Sequence, residues 1–330
     1  MDAAPPPDRV GLPTMNSFSD KAVDHESHVL HWDIDSIVAQ LRSLRMATPG
    51  RRFGDRPAKL PSQKALAGIL DGLSAALFPN RLGLPDLTNE GVDYFVGNTL
   101  DLTLRELLEQ VRRELQFSAA HNSDLDEIRK TAIAITREFA SQLPAVRKLL
   151  ESDIHAAYQG DPAARSVDEV LVCYPGVTAI THHRLAHVLH GLGAPLLARM
   201  IAEVAHSTTG IDIHPGAQIA GSFFIDHGTG VVIGESAIIG ERVRLYQAVT
   251  LGAKRFPTDE NGAMLKGNAR HPIVEDEVVI YAGATILGRI TIGKGSVIGG
   301  NVWLTRSVPP GSNITQAKNR SEAFDGGGGI

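Results

Sequence analysis

From residue 274 onward an aliphatic side chain falls on every sixth position: Val274, Ile280, Ile286, Ile292, Ile298 and Leu304. An earlier series runs Ile213, Ile219 and Ile225, slips by two, and continues at Ile233, Ile239, Leu245 and Leu251. Four residues after most of these stands a small or β-branched residue: Ala217, Thr229, Ala237, Val243, Val249, Val278, Ala284, Ser296 and Val302. Neither the 3.6-residue helical period nor strand alternation yields a strict six. A hexapeptide repeat does. Each hexad is a short strand plus a turn, and three hexads close one triangular turn of a left-handed parallel β-helix with the aliphatic residue inside. Gly234, Gly240, Gly293 and Gly299 are predicted at its tight corners. An evenly spaced β-sandwich would not hold one period through six consecutive hits.

Upstream the spacing is helical. Trp32, Ile37, Val38 and Leu41 recur at helix-compatible intervals, as do Leu102, Leu107, Leu108 and Val111. Ser123-Asp124 predicts a helix start and Leu196–Val204 a further helix, while Pro144 and Pro162 predict interruptions or first turns. Gly160-Asp161-Pro162 reads as a loop or helix start. Of the 33 glycines, 21 lie beyond residue 205, which marks a change of architecture there. The expected fold class is α + β: an α-helical domain over 29–205, then a β-helix over 206–312. Residues 1–28, with Pro5-Pro6-Pro7, read as a disordered tail, and 313–330 as a flexible C-terminal tail.

The hexads stop between Leu251 and Val274, so residues 252–272 are an extruded loop, ending in Arg270-His271-Pro272. Loops of this length on a regular scaffold are often functional. Polar groups among the hexads also need a reason: Asp212 and His214, Asp226-His227, Glu235, and Arg270-His271. Asp212 and His227 are fifteen residues apart, which places them on neighbouring turns near one edge, where a carboxylate can orient an imidazole as a general base. Tyr281-Ala282-Gly283-Ala284 sets small residues on an outer face where a thin ligand arm can approach the backbone. His182, His183, His187 and His190 share a helical spacing, but no carboxylate close in sequence supports a metal site.

Charge narrows the class. The 330 residues carry 32 Lys+Arg against 37 Asp+Glu, a net −5, which gives no electrostatic grip on nucleic acid or anionic membrane. No apolar run approaches the roughly 18 residues of a membrane span. One cysteine, Cys173, allows no internal disulfide, and the N-terminus MDAAPPPDRV lacks the order of a secretory signal. A cytoplasmic protein is expected.

The run Asp153-Ile154-His155-Ala156, Asp161-Pro162-Ala163, Asp212-Ile213-His214-Pro215, Asp226-His227-Gly228-Thr229-Gly230, Gly234-Glu235, Val249-Thr250-Leu251-Gly252 and Arg270-His271-Pro272 resembles the serine O-acetyltransferases over roughly residues 150–312. The resemblance implies acetyl transfer from acetyl-CoA, as co-substrate and with no metal, to the hydroxyl of L-serine. It makes His227 the general base, oriented by Asp212. Arg270 and His271 would take the substrate carboxylate, and Asp161 and Asp226 its ammonium. The CoA arm would pass Ala253, Lys254, Ala282 and Gly283, although the long 253–269 segment replaces the family's short Gly-rich loop. Cysteine is implied as a feedback inhibitor, a homotrimer or dimer of trimers as the assembly, and cysteine synthase as a partner reached through the Gly326–Gly329 spacer and Ile330.

Three other readings use the same residues. A sugar acetyltransferase would share the coil and the base, but would leave Asp161, Asp226, Arg270 and His271 without a carboxylate–ammonium pair to match. A zinc carbonic-anhydrase-like hydratase would take His214, His227 and His271 as ligands. A non-catalytic scaffold would display Ile330 and turn nothing over.

Overall fold

The computed structural model describes residues 32–47, 59–119, 124–255, 259–260, 262–265 and 267–316. The N-terminal residues 1–28 and Ile330 therefore lie outside the described residues. The chain divides into two compact units, residues 1–57 and 58–330. In the first, α1 (Ile34–Ala47) carries Ile37, Val38 and Leu41, all exposed. Trp32 precedes the helix rather than joining it.

The second unit holds both the remaining helices and the coil, so the change at residue 206 separates two architectures rather than two units. One hydrophobic core runs through both, from Leu66, Leu107, Phe139 and Leu185 to Ile225, Leu251 and Ile286. The helices are α2 (Gln63–Leu77), α3 (Pro79–Leu82), α4 (Asn89–Ser118), α5 (Leu125–Gly160), α6 (Val167–Cys173), α7 (Pro175–Gly191) and α8 (Pro195–Thr209). Side chains fix their starts: the Ser62, Thr88, Asp124 and Ser166 oxygens accept from backbone N–H groups two or three residues on. The Ser166 hydroxyl accepts from Glu169 N, and Glu169 Oε2 reaches back to accept from Arg165 N. Pro144 does not interrupt; it lies inside α5. Buried Leu143, Val146 and Leu150 hold the helix on both sides of it against the missing hydrogen bond.

The coil has fourteen short strands among the described residues, stacked on three faces. The first face orders β1 (Asp212–Ile213), β4 (Val232–Ile233), β7 (Thr250–Gly252), β10 (Thr285–Leu287) and β13 (Trp303–Leu304). The second stacks β2 (Gln218–Ile219), β5 (Ile238–Ile239), β8 (Ile273–Val274) and β11 (Thr291–Ile292). The third stacks β3 (Phe224–Ile225), β6 (Arg244–Leu245), β9 (Val279–Ile280), β12 (Val297–Ile298) and β14 (Asn313–Ile314). All pairings are parallel. It is a left-handed β-helix, and β14 carries it past residue 312, where the sequence placed the start of the tail.

The register records the chain's irregularities. Paired residues are 18 apart in the regular coil (Val232↔Thr250), 20 apart in the first turn (Asp212↔Val232) and 35 apart across the loop (Thr250↔Thr285). The first turn's two extra residues lie in 226–231. They leave Thr229 exposed and give its interior place to Val231. The other predicted small or β-branched positions are buried, and so are the aliphatic positions except Ile219 and Leu304, which are half-buried. Each such Ile, Leu or Val contributes about 1.5–3 kcal/mol on burial.

The four corner glycines have a different cause from the predicted one. Gly234, Gly240, Gly293 and Gly299 do not have positive φ; left-handed corners are taken by Ser222, His227, Arg242, Ala248, Glu277 and Asn301 among others. A Cβ at Gly240 or Gly293 would lie 2.7 Å from Asp276 N or 2.3 Å from Pro310 N on the next turn. Those glycines make room for close approach. No helix among the described residues is long and apolar enough to cross a membrane.

Candidate active site

The polar residues of the hexads gather at two of the coil's three corners. The corner between the third and first faces carries Asp226 and His227. Asp226 is held by its backbone, whose N–H donates to Leu245 O at 2.8 Å. His227 has φ +58° and is 69% exposed, with Nδ1 3.6 Å from Asp226 Oδ1. No ion pair joins Asp212 and His227 among the described residues. Asp212 sits half-buried on the first face, its N–H donating to Val231 O.

The end of α5 brings Asp161 to the same corner. Its carboxylate accepts from the Tyr174 hydroxyl and from Ala163 N (2.8 Å). The tyrosine hydrogen bond, then the backbone one, hold Asp161 below the usual carboxylate range, and His227 and Arg244 add charge in the same sense. The same contact, with burial and the nearby Asp161, Glu169 and Asp226 charges, pushes Tyr174 up to about 12. Asp161, Asp226 and His227 thus share one electrostatic neighbourhood.

The corner between the first and second faces carries the other set. Arg270 Nη2 donates to Glu235 Oε2 at 2.7 Å. Burial alone would raise the Glu235 carboxyl, but the Arg270 hydrogen bond and charge outweigh it and hold it low. His271 is buried, its ring packed over Gly234, where a Cβ would come within 2.0 Å of the imidazole. Its Nδ1 accepts from Ser236 N at 3.0 Å, which leaves the proton of the neutral ring on Nε2. The Ser236 hydroxyl oxygen also accepts from Arg270 N (2.9 Å) and His271 N (3.2 Å). Arg289 caps the arrangement by donating to Ser236 O and His271 O. Burial first, then the Arg270 charge, lowers the His271 pKa, with Glu235 opposing.

His214 stands beside this corner. Its Nδ1 accepts from Gly216 N (3.0 Å), and burial with the Arg199 charge lowers it to about 4. On α7, His187 Nδ1 lies 2.8 Å from Pro215 O, and burial drives His183 well below its ordinary value. The lowered His183 and His214 make the fold acid-sensitive. The unfolded chain binds protons below about pH 6.5 while these folded groups resist them. Stability is therefore full above about pH 6.5 and declines toward pH 4. Thermal melts between about pH 7.5 and 4.5 are expected to show a falling midpoint, with a shallower fall in His214→Gln; a flat profile would remove the imidazoles from the ledger.

Within one chain the two corners stay apart, separated by the first face. Asp226-His227 and Arg270-His271 do not converge, and His227 lies at a different corner from His214 and His271, so these three do not form one ligand set. Of the CoA candidates, Ala282 and Gly283 (φ +73°) lie at the His227 corner. Ala253 and Lys254 begin the loop at the other corner, with the Lys254 stem over Gly288. Tyr174 and Ser236 were not singled out in the sequence. Ser236 directly follows Gly234-Glu235, which is a usable signal; Tyr174 has no periodic relation to Asp161.

Residues 271–306 match the family model described as bacterial transferase hexapeptide (six repeats). A Synechococcus elongatus protein named serine acetyltransferase, plasmid, is 59% identical over 304 residues, covering 91% of this chain and 95% of its own. The chain belongs to the serine acetyltransferase family. The Mycobacterium tuberculosis serine acetyltransferase is 47% identical over 54% of this chain and 76% of its own. Among solved structures, Entamoeba histolytica serine acetyltransferase 1 in complex with L-cysteine is 35% identical with a TM-score of 0.67, covering 86% of this chain and 98% of its own. That family assignment covers the helices as well as the coil, and so includes Asp161 and Tyr174.

Proposed function

We propose that the chain transfers the acetyl group of acetyl-CoA to the hydroxyl of L-serine, giving O-acetylserine and CoA, with His227 as the general base. The 59% identity to a serine acetyltransferase over 91% of the chain carries the reaction class. The neighbourhood of His227 with Asp161 and Asp226 supports its place in the mechanism.

A serine hydroxyl is a weak nucleophile at neutral pH, so a positioned base is required. The imidazole takes the hydroxyl proton as the oxygen bonds to the thioester carbonyl carbon. The tetrahedral intermediate then expels the thiolate, and the imidazolium returns its proton to that sulfur. Asp212 orients the imidazole from the adjoining strand. Asp161 and Asp226, one held ionised by Tyr174, receive the serine ammonium. Arg270 and the His271 Nε2–H receive its carboxylate.

Because these two groups occupy different corners of one chain, the site is completed by a second copy: His227 of one protomer faces Arg270-His271 of another in a homotrimer or a pair of trimers. Ala253, Lys254, Ala282 and Gly283 line the CoA path. Cysteine, which presents the same carboxylate and ammonium, competes for the serine site, and the Entamoeba complex with L-cysteine supports that reading. The spacer Gly326–Gly329 suits Ile330 to a pocket on cysteine synthase. A cytoplasmic location completes the proposal, supported by the single cysteine.

CoA release from acetyl-CoA by purified protein tests the proposal, with L-serine, without it, and with a galactoside in its place. Release that depends on L-serine is expected. Release with the galactoside alone would discard the roles given to Asp161, Asp226, Arg270 and His271.

A further inference from the structure

The first face of the coil ends on an exposed tryptophan. Outward positions along that face are Asp212, Val232, Thr250, Thr285 and Trp303, each paired in parallel register with the next. Four inter-strand steps of about 4.8 Å separate the ends, roughly 19 Å in all. Asp212 stands at one end, on the turn that carries Asp226 and His227. Trp303 stands at the other, 70% exposed, with Leu304 turned inward beside it. Between them the outward side chains are small or medium.

Two cations stand at the corner that adjoins this end of the face. Gly288 and Arg306 each lie two positions beyond the paired Ile286 and Leu304, which sets them at one corner on successive turns. The Lys254 stem packs over Gly288, its Cβ 3.2 Å from where a Gly288 Cβ would be. Lys254 and Arg306 are exposed, and neither is in an ion pair among the described residues. An exposed indole with two exposed cations at the adjoining corner complements a flat base that carries phosphates. The opposite end of the same face holds the acyl-transfer residues.

We propose that Trp303 is the stacking platform for the adenine ring of acetyl-CoA, with Arg306 and Lys254 facing its phosphates. The inference rests on the acetyl-CoA reading above and extends it to the nucleotide end. The extended pantetheine–diphosphate arm then runs along the first face from His227 to Trp303, and donor affinity is set by residues that never approach the serine.

Two donors separate the outcomes: acetyl-CoA, and S-acetylpantetheine, which has the same thioester arm without diphosphate or nucleotide. Trp303→Ala is expected to lower kcat/KM for acetyl-CoA roughly tenfold, the scale of one base–aromatic stack. It leaves kcat/KM for S-acetylpantetheine and KM for L-serine unchanged, and Trp303→Phe recovers most of the loss. Adenosine 3′,5′-bisphosphate is expected to inhibit the unsubstituted protein and to do so about tenfold more weakly in Trp303→Ala. Unchanged kinetics with acetyl-CoA would place the adenine elsewhere and leave the acetyltransferase reading standing. Equal losses with both donors would make Trp303 a support of the groove rather than a nucleotide contact. Failure of the unsubstituted protein to use acetyl-CoA would overturn the broader reading and this one with it.

Discussion

His227→Asn is expected to lower turnover about 10²–10⁴-fold, the loss that follows removal of a positioned general base, while thermal stability stays essentially unchanged. Both halves follow from the geometry. The imidazole is 69% exposed, and its ion-pair partner among the described residues is the adjacent Asp226 at 3.6 Å, so little packing is lost with it. Its backbone is left-handed, at φ +58°, a conformation that asparagine tolerates better than alanine does. The asparagine variant therefore separates loss of the base from strain in the corner. Steady-state rates with saturating L-serine and acetyl-CoA, alongside a thermal melt, decide it; turnover that persists would place the base on another residue.

The largest effect on stability is expected at Arg184. Its side chain is 4% exposed and that of its partner Asp153 1%, with Nε and Nη2 donating to the carboxylate at 2.6 and 2.8 Å. The same guanidinium donates to Ile219 O and Ala220 O, and Asp153 Oδ1 accepts from Phe223 N. The pair therefore ties α5 and α7 to the corner between the second and third faces. Burial pushes the Asp153 carboxyl up, and the guanidinium opposes that shift. Arg184→Ala leaves a carboxylate buried without its cation and is expected to cost about 3–5 kcal/mol. Denaturant unfolding measures it. Asp153→Asn, which keeps part of the hydrogen bonding, should cost less. The exposed Arg105–Asp101 pair is the control, and its loss should be hard to detect.

The coil could be read from the sequence because a solenoid puts spatial neighbours at fixed sequence offsets. Ile233 meets Leu251 and Ile280 meets Ile298, each pair 18 residues apart, so one period states both the fold and the interior. The slip between Ile225 and Ile233 and the gap before Val274 were visible for the same reason, and both mark where polar residues cluster. Contacts set by helix packing carry no such offset. Asp161 with Tyr174, and Asp153 with Arg184, depend on how α5, α6 and α7 cross, and side-chain periodicity does not report that. The corner glycines were located correctly but explained wrongly: crowding from the neighbouring turn, not φ, selects Gly240 and Gly293. Thr229 failed as an interior residue because the two-residue slip begins just before it.

Three faces per turn also constrain how such a chain can change in length. Removing one hexad downstream of the loop would carry Trp303 from the first face to a neighbouring one, a third of a revolution from the acyl-transfer residues. Where the corners keep their regular length, a loss or gain of 18 residues, the spacing of Thr285 and Trp303, keeps every later residue on its own face; a corner can also absorb a small change, as the two extra residues in 226–231 do. The 252–272 segment escapes this rule because it leaves and re-enters at one corner, so its length can drift one residue at a time. Related chains should therefore differ freely inside that segment, by a residue or two at corners such as 226–231, and otherwise in whole turns.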